Sequence, residues 1–142
     1  MKNSLIRSKE LVKSHGMVFT PTTLVNEMLD KLPPELFTNH NKTFLDNSCG
    51  NGAFLFEVMR RKMKAGASHI QSLKTIFGVE LHLPNVNECK KRLSLNIQPS
   101  HPDYNTIWNI LNNHIICADA LDNNHSGWNT VGFYWNTLYP NS

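Results

Sequence analysis

Three short β-rich runs along this chain each close on or beside a carboxylate, and helical stretches separate them. The runs are Thr43-Phe44-Leu45-Asp46, Thr75-Ile76-Phe77-Gly78-Val79-Glu80-Leu81 and His114-Ile115-Ile116-Cys117-Ala118-Asp119. Strand–helix–strand–helix–strand order is the pattern of a parallel sheet with right-handed crossovers. Such sheets bind ligands outside the carboxyl ends of their strands. Asp46, Glu80 and Asp119 therefore mark the edge where function is expected.

The intervening stretches read as helices. The first runs from about Gly52 to Lys64, with Leu55, Val58, Met59 and Met63 near one face. The second opens at Pro84, a favoured first-turn residue, and sets Val86, Cys89, Lys90 and Leu93 at helical spacing. Asp103 to Asn112 adds a short helix carrying Ile107, Ile110 and Leu111. Upstream, Thr20 reads as the cap of a helix with Pro21 at its first position and Leu24, Val25, Met28, Leu29 and Leu32 inward. A further run, Thr130-Val131-Gly132-Phe133-Tyr134-Trp135, supplies one more strand. The expected fold is α/β, a half-sized three-layer sandwich with about four parallel strands.

The turn after the first run, Asp46-Asn47-Ser48-Cys49-Gly50-Asn51-Gly52, holds two glycines two residues apart. They permit positive φ and close approach of a ligand to the backbone. No G-x-G-x-x-G and no G-K-[ST] is present, so a phosphate cradle is poorly supported. An acid at this strand end repels a pyrophosphate and suits an ammonium group. Glu80, 34 residues on, stands where an acid in a nucleoside-binding α/β fold takes a ribose hydroxyl pair. Leu81 offers an apolar surface for an adenine face, and Asp119 an acceptor for an exocyclic amine. A cation, a ribose and an adenine together describe S-adenosylmethionine rather than ATP or NAD.

From about His15 to Tyr139 the chain resembles the N6-adenine DNA methyltransferases, in the branch where motif X precedes motif I. The segment His15-Gly16-Met17-Val18-Phe19-Thr20-Pro21 resembles the F-T-P motif X. Asp46 to Gly52 resembles motif I, usually D-P-A-C-G-x-G, and Gly78-Val79-Glu80-Leu81 resembles motif II. Cys117-Ala118-Asp119-Ala120-Leu121 resembles motif III. The resemblance implies a Rossmann-like S-adenosylmethionine-dependent methyltransferase fold. It also implies cofactor contacts from Phe19, Thr20, Pro21, Asp46, Asn47, Cys49, Gly50, Gly52, Glu80, Leu81, Asp119 and Ala120. DNA is the implied substrate.

The departure lies where the family carries motif IV, [DNS]-P-P-[YFW]. Here the sequence reads Asn136-Thr137-Leu138-Tyr139-Pro140, 17 residues after Asp119, with no proline between Asn136 and Tyr139. In the family the Asn side chain and a Pro carbonyl accept from the target N6 amine while the aromatic ring stacks on the flipped base. Asn136 and Tyr139 are the matching catalytic candidates, without the prolines that fix the carbonyl. The expected organisation is one domain over 1–142. It comprises a helical region at 1–33 with the F-T-P motif, a Rossmann-like core at 42–135 and a degenerate catalytic loop at 136–142. The chain stops where further strands and a target-recognition region would follow in the family, so a second protein chain could complete it. A catalytically dead cofactor-binding or partner-interaction protein is the alternative. An enzyme that consumes the cofactor itself is a third reading, with no base identified for it.

Composition sets the remaining bounds. All 14 Lys and Arg fall within residues 1–92 against eight acids, a net +6, while residues 93–142 carry three acids and no base. Such asymmetry can mark a nucleic-acid face. However, Arg60, Arg61, Lys62 and Lys64 end one helix and Lys90, Lys91 and Arg92 another, where cations suit the helix dipole. Those ends also point away from the carboxyl edge. Cys49, Cys89 and Cys117, with spacings of 40 and 28, exclude a C-x-x-C motif and a paired disulfide framework. They point to a reducing cytoplasm, with Cys49 a packed small residue rather than a nucleophile. Trp108, Trp128 and Trp135 read as core or capping aromatics. No His ligand spacing, signal peptide or membrane-length apolar run is present, so neither metal nor membrane is expected.

Overall fold

Ile76, Phe77 and Val79 fill three of the five places in a run too short for a helix, and both faces of that run are buried. Apolar residues on both faces are what a central parallel strand requires. In the computed structural model, which describes residues 20–119, this run is the middle of a three-stranded parallel sheet of order β1-β2-β3. The strands are β1 (Phe44–Asp46), β2 (Ile76–Glu80) and β3 (Ile115–Cys117). Phe44 pairs with Ile76 and Asp46 with Gly78 on one side, Gly78 with Ile115 and Glu80 with Cys117 on the other. The fold is thus mixed α/β, with a three-stranded parallel sheet. The run at 130–135 lies outside the described residues.

The helices are α1 (Thr22–Asp30), α2 (Glu35–Thr38), α3 (Ala53–Lys64), α4 (His69–Lys74), α5 (Leu83–Leu93) and α6 (Tyr104–His114). Val25, Leu29, Leu55, Val58, Met59, Val86, Leu93, Ile107 and Leu111 bring one face of each longer helix onto Phe44, Ile76 and Ile115. A second cluster, Val79 and Ala118 with Leu45 and Ile116, occupies the opposite face of the sheet. Alternation along each strand divides the two sets.

Several sequence expectations shift. Thr20 does not cap α1: Pro21 takes that place with ψ 147°, and its carbonyl accepts from Val25 N–H at 3.0 Å. The extended ψ keeps Pro21 outside the helix, so the first helical residue is Thr22. His114 ends α6 instead of opening β3, and its ring stacks on Phe77 at 4.3 Å. Its Nδ1 lies 3.1 Å from both the Leu73 and Ile76 carbonyls. Two carbonyl acceptors place a proton on that nitrogen, and burial lowers the His114 pKa. Two short helices, α2 and α4, had no counterpart in the sequence reading. The second carries a capping box: Ser68 Oγ accepts from Gln71 N–H while Gln71 Oε1 accepts from Ser68 N–H.

The largest revision concerns Lys62. It is 0% exposed and takes the core-facing place expected for Met63, which is only half-buried. Its ammonium donates to the Lys42 carbonyl and, at 2.8 Å, to Thr75 Oγ1, and it lies over the Phe44 ring. Lys42 leads into β1 and Thr75 into β2, so one buried cation ties the two strand entrances together. Burial lowers its pKa from 10.5 to about 8. Lys62 is therefore not a solvated partner of the helix dipole.

Candidate functional site at the carboxyl edge

The β1–α3 turn is built from its own backbone. Asp46 Oδ1 accepts from Ser48 N–H at 3.1 Å, closing an Asx turn as the chain leaves the strand. Cys49 N–H then donates to the Val79 carbonyl at 3.0 Å, which fastens the turn to β2. Gly50 and Gly52 have φ of 54° and 89°, in the left-handed region. Gly52 is also needed for space: a Cβ there would lie 2.7 Å from Cys89 Sγ, so the glycine lets the start of α3 settle on α5. Gly78, part of the motif II resemblance but not among its implied contacts, is likewise needed for space. A Cβ on it would meet Cys49 Sγ and Leu55 Cδ1 at 2.9 Å.

Glu80 joins this turn to the next one. It is 1% exposed. Oε1 accepts from Gly50 N–H at 3.1 Å, and Oε2 accepts from His82 N–H at 2.9 Å and Asn85 Nδ2 at 3.3 Å. The carboxylate thus braces the β1–α3 and β2–α5 turns against each other. Its backbone carbonyl accepts from Ala118 N–H at 3.0 Å, which draws in the end of β3 as well. Neither Asn85 nor the amide of His82 was singled out from sequence. An Asn two residues into a helix that starts beside a strand-end acid was the available signal.

The predicted residues fall into three sets. Asp46, Cys49, Gly50, Gly52 and Glu80 are buried and contiguous at the carboxyl ends of β1 and β2. Asn47 is exposed on the same turn, Leu81 is 59% exposed just beyond Glu80, and Asp119 is exposed two residues past the end of β3. Thr20 and Pro21 precede α1. The far end of α1 is anchored where Asp30 meets Arg61 at 2.7 Å, and among the described residues no hydrogen bond links Thr20 or Pro21 to the turn. Phe19, Ala120, Asn136 and Tyr139 lie outside the described residues.

The three carboxylates are not level. Asp46 aligns with Gly78, two residues short of Glu80, while Cys117 aligns with Glu80 and Asp119 comes two residues later. At about 3.3 Å per strand residue, each step is roughly 6.6 Å along the strands.

The Cys89 thiol beside the turn is not poised as a nucleophile. Cys89 is fully buried, and its pKa stands well above the ordinary thiol value. The hydrogen bond with Cys49 raises it most, then burial, then the charges of Cys49 and Asp46, with Arg92 opposing. Among the described residues no group of three or more His, Cys, Asp or Glu side chains is placed to hold a metal ion, and no helix is long and apolar enough to cross a membrane.

A parallel α/β domain with an acid-and-glycine turn at its strand ends belongs to the class that receives ligands at that edge. The match to known sequences makes the class specific: a family model described as N-6 DNA Methylase covers residues 5–129. The chain belongs to that family and contains a DNA methyltransferase-like domain. No curated protein and no solved structure matches it.

Proposed function

We propose that this domain binds S-adenosylmethionine at the carboxyl edge of its sheet, within a Rossmann-like core, and serves methylation of adenine N6 in DNA. The observation that carries the reading is the Glu80 brace. A buried acid holds the glycine turn and the start of α5 in one arrangement, with Asp46 on the neighbouring strand.

The donor set fits such a cofactor. Asp46 suits an ammonium and the glycine turn permits close approach of a carboxylate. Leu81 presents an apolar surface to an adenine face, and Asp119 an acceptor for its amine. Glu80 is the demanding case, since its oxygens already accept three hydrogen bonds. The Asn85 contact is the longest of the three, at 3.3 Å, and comes from a side chain that can turn away, so it is the one a ribose hydroxyl replaces. When bound, the cofactor supplies an electrophilic methyl on a sulfonium. The chain's own part is to hold it and to orient the adenine amine, the latter through Asn136 and Tyr139 in this reading.

Calorimetric titration with S-adenosylmethionine, beside a methyl-transfer assay on unmethylated DNA, tests both halves. Binding that Asp46→Ala abolishes supports the cofactor site, and no heat at millimolar cofactor removes it. The missing prolines between Asn136 and Tyr139 favour a second reading, a domain that binds the cofactor without transferring its methyl group. Binding without transfer selects that reading.

A further inference from the structure

Among the described residues the two basic helix ends differ in their ion pairs, with Lys64 on α3 exposed. On α3, Arg60 pairs with Glu57 at 2.9 Å and Arg61 with Asp30 at 2.7 Å, and Lys62 is buried. On α5, among the described residues, neither Lys90, Lys91 nor Arg92 forms an ion pair. Lys90 Nζ donates to Asn112 Oδ1 at 3.1 Å, Arg92 lies over the Phe56 ring, and Lys91 is exposed. Burial lowers the pKa of Lys90 although the neighbouring thiols oppose it. A partly desolvated ammonium whose hydrogen-bond partner among the described residues is a carboxamide is a place where an anion is welcome.

Lys90 and Lys91 open into a cleft of about 570 Å³ between the second half of α5, the segment after it and α6. No carboxylate lines it. Tyr104 and Trp108 form one wall, four residues apart on α6, with ring centroids 6.4 Å apart and planes tilted by 51°. Rings at that angle make a corner, not a slot; both are half-buried and Trp108 also packs against the core, so a flat ligand stacks on one ring at a time. Asn96 and Gln98 line a further wall. Leu95 and Asn96, with φ of 55° and 53°, hold that wall in a turn that non-glycine residues seldom adopt. A cation pair, stacking rings and carboxamides that both donate and accept are the parts of a single-strand nucleic-acid site.

We propose that this cleft binds a nucleotide unit of a single-stranded nucleic acid, its base against Tyr104 or Trp108 and its phosphate at Lys90 and Lys91. The site is separate from the carboxyl edge, since α5 starts beside Glu80 and the cleft opens on the other half of that helix. Cofactor binding is not required for it.

Fluorescence anisotropy of a labelled oligothymidylate, titrated over a series of salt concentrations, tests the site. That probe carries no adenine, so recognition of a methyl acceptor does not contribute. Tyr104→Ala weakens binding by roughly 10-fold, the loss of one stacked base. The double variant Lys90→Gln/Lys91→Gln, confined to the helix surface, reduces the salt slope by about 1.4, at roughly 0.7 per phosphate contact on a single strand. Both variants keep the parent's far-ultraviolet circular dichroism and its calorimetric response to S-adenosylmethionine. Competition by thymidine monophosphate assigns the cleft to a free nucleotide, and failure to compete assigns it to the strand; nucleotide recognition holds in either case. Absence of oligothymidylate binding overturns the proposal. So does an unchanged affinity and slope in the lysine double variant, even if Tyr104→Ala fails to fold. A chain that binds oligothymidylate in this variant-sensitive way but shows no heat with S-adenosylmethionine loses the cofactor reading alone.

Discussion

Each edge of the sheet holds one charge sealed to 1% exposure or less, Glu80 at one and Lys62 at the other, and the two are used differently. At the carboxyl edge Glu80 accepts from two backbone N–H groups and an amide side chain, joining the turns that leave β1 and β2. At the amino edge the Lys62 ammonium donates to a backbone carbonyl and a threonine hydroxyl, joining the segments that enter the same two strands. The acid sits among donors fixed by the backbone, with half-open surface around it at Leu81 and Asn47. The base is sealed among Phe44 and the core. Burying a charge costs free energy at either edge. At the carboxyl edge that cost goes with joining two turns beside open surface; at the amino edge it goes with clamping strand entrances together.

Substitutions can break or sharpen this comparison. The largest effect is expected for Glu80→Ala, which strands the Gly50 and His82 amides and removes the brace. It should lower the free energy of unfolding by about 3–5 kcal/mol in urea titration, and Glu80→Gln should recover much of that by keeping one oxygen. A loss below about 1 kcal/mol for the alanine variant would show that the brace is not what holds the turn. Gly52→Ala follows at roughly 2–4 kcal/mol, from left-handed strain and the clash with Cys89. Replacing Cys89 by alanine in that background should return part of it.

Lys62→Met should cost no more than about 1 kcal/mol at neutral pH, because the removed desolvation offsets two lost hydrogen bonds. A penalty as large as that of Glu80→Ala would make the two edges equivalent and end the contrast. The pH dependence gives a finer check. Between about 8 and 10.5 the unfolded chain holds the Lys62 proton and the folded chain has released it, so stability rises with pH across that window. The rise should vanish in Lys62→Met.

His114 should give the smallest signal, with the same sign but at the acid end of the scale. Its folded pKa lies below 6.5, so its contribution is complete above that value and is lost as pH falls toward the folded pKa. Thermal midpoints measured down to about pH 5 should fall more steeply in the parent than in His114→Gln.

What could be read in advance follows from how local each signal was. The central strand was legible because Ile76, Phe77 and Val79 leave no other use for so short a run. The helix at Pro84 was legible because a proline tolerated at a helix start names that start. The six-residue α4 was not, although Ser68 and Gln71 spell its capping box, because six residues are too few to show a period. Lys62 was unreadable in principle. A lysine scores as surface, and its partners lie 20 and 13 residues away in sequence. The same holds for Glu80: its position at a strand end was plain, but its bond to Gly50 spans 30 residues and exists only once both turns are folded.

The stagger of the strand-end acids has a further consequence. Asp46, Glu80 and Asp119 climb like treads, each one strand over and two residues higher. With strands about 4.8 Å apart, that staircase runs obliquely across the sheet. A compact ligand can stand on one tread, and only an elongated one, laid diagonally, can touch all three. On the proposed cofactor reading, the register of three short strands therefore sets the length and tilt a ligand needs to meet all three acids.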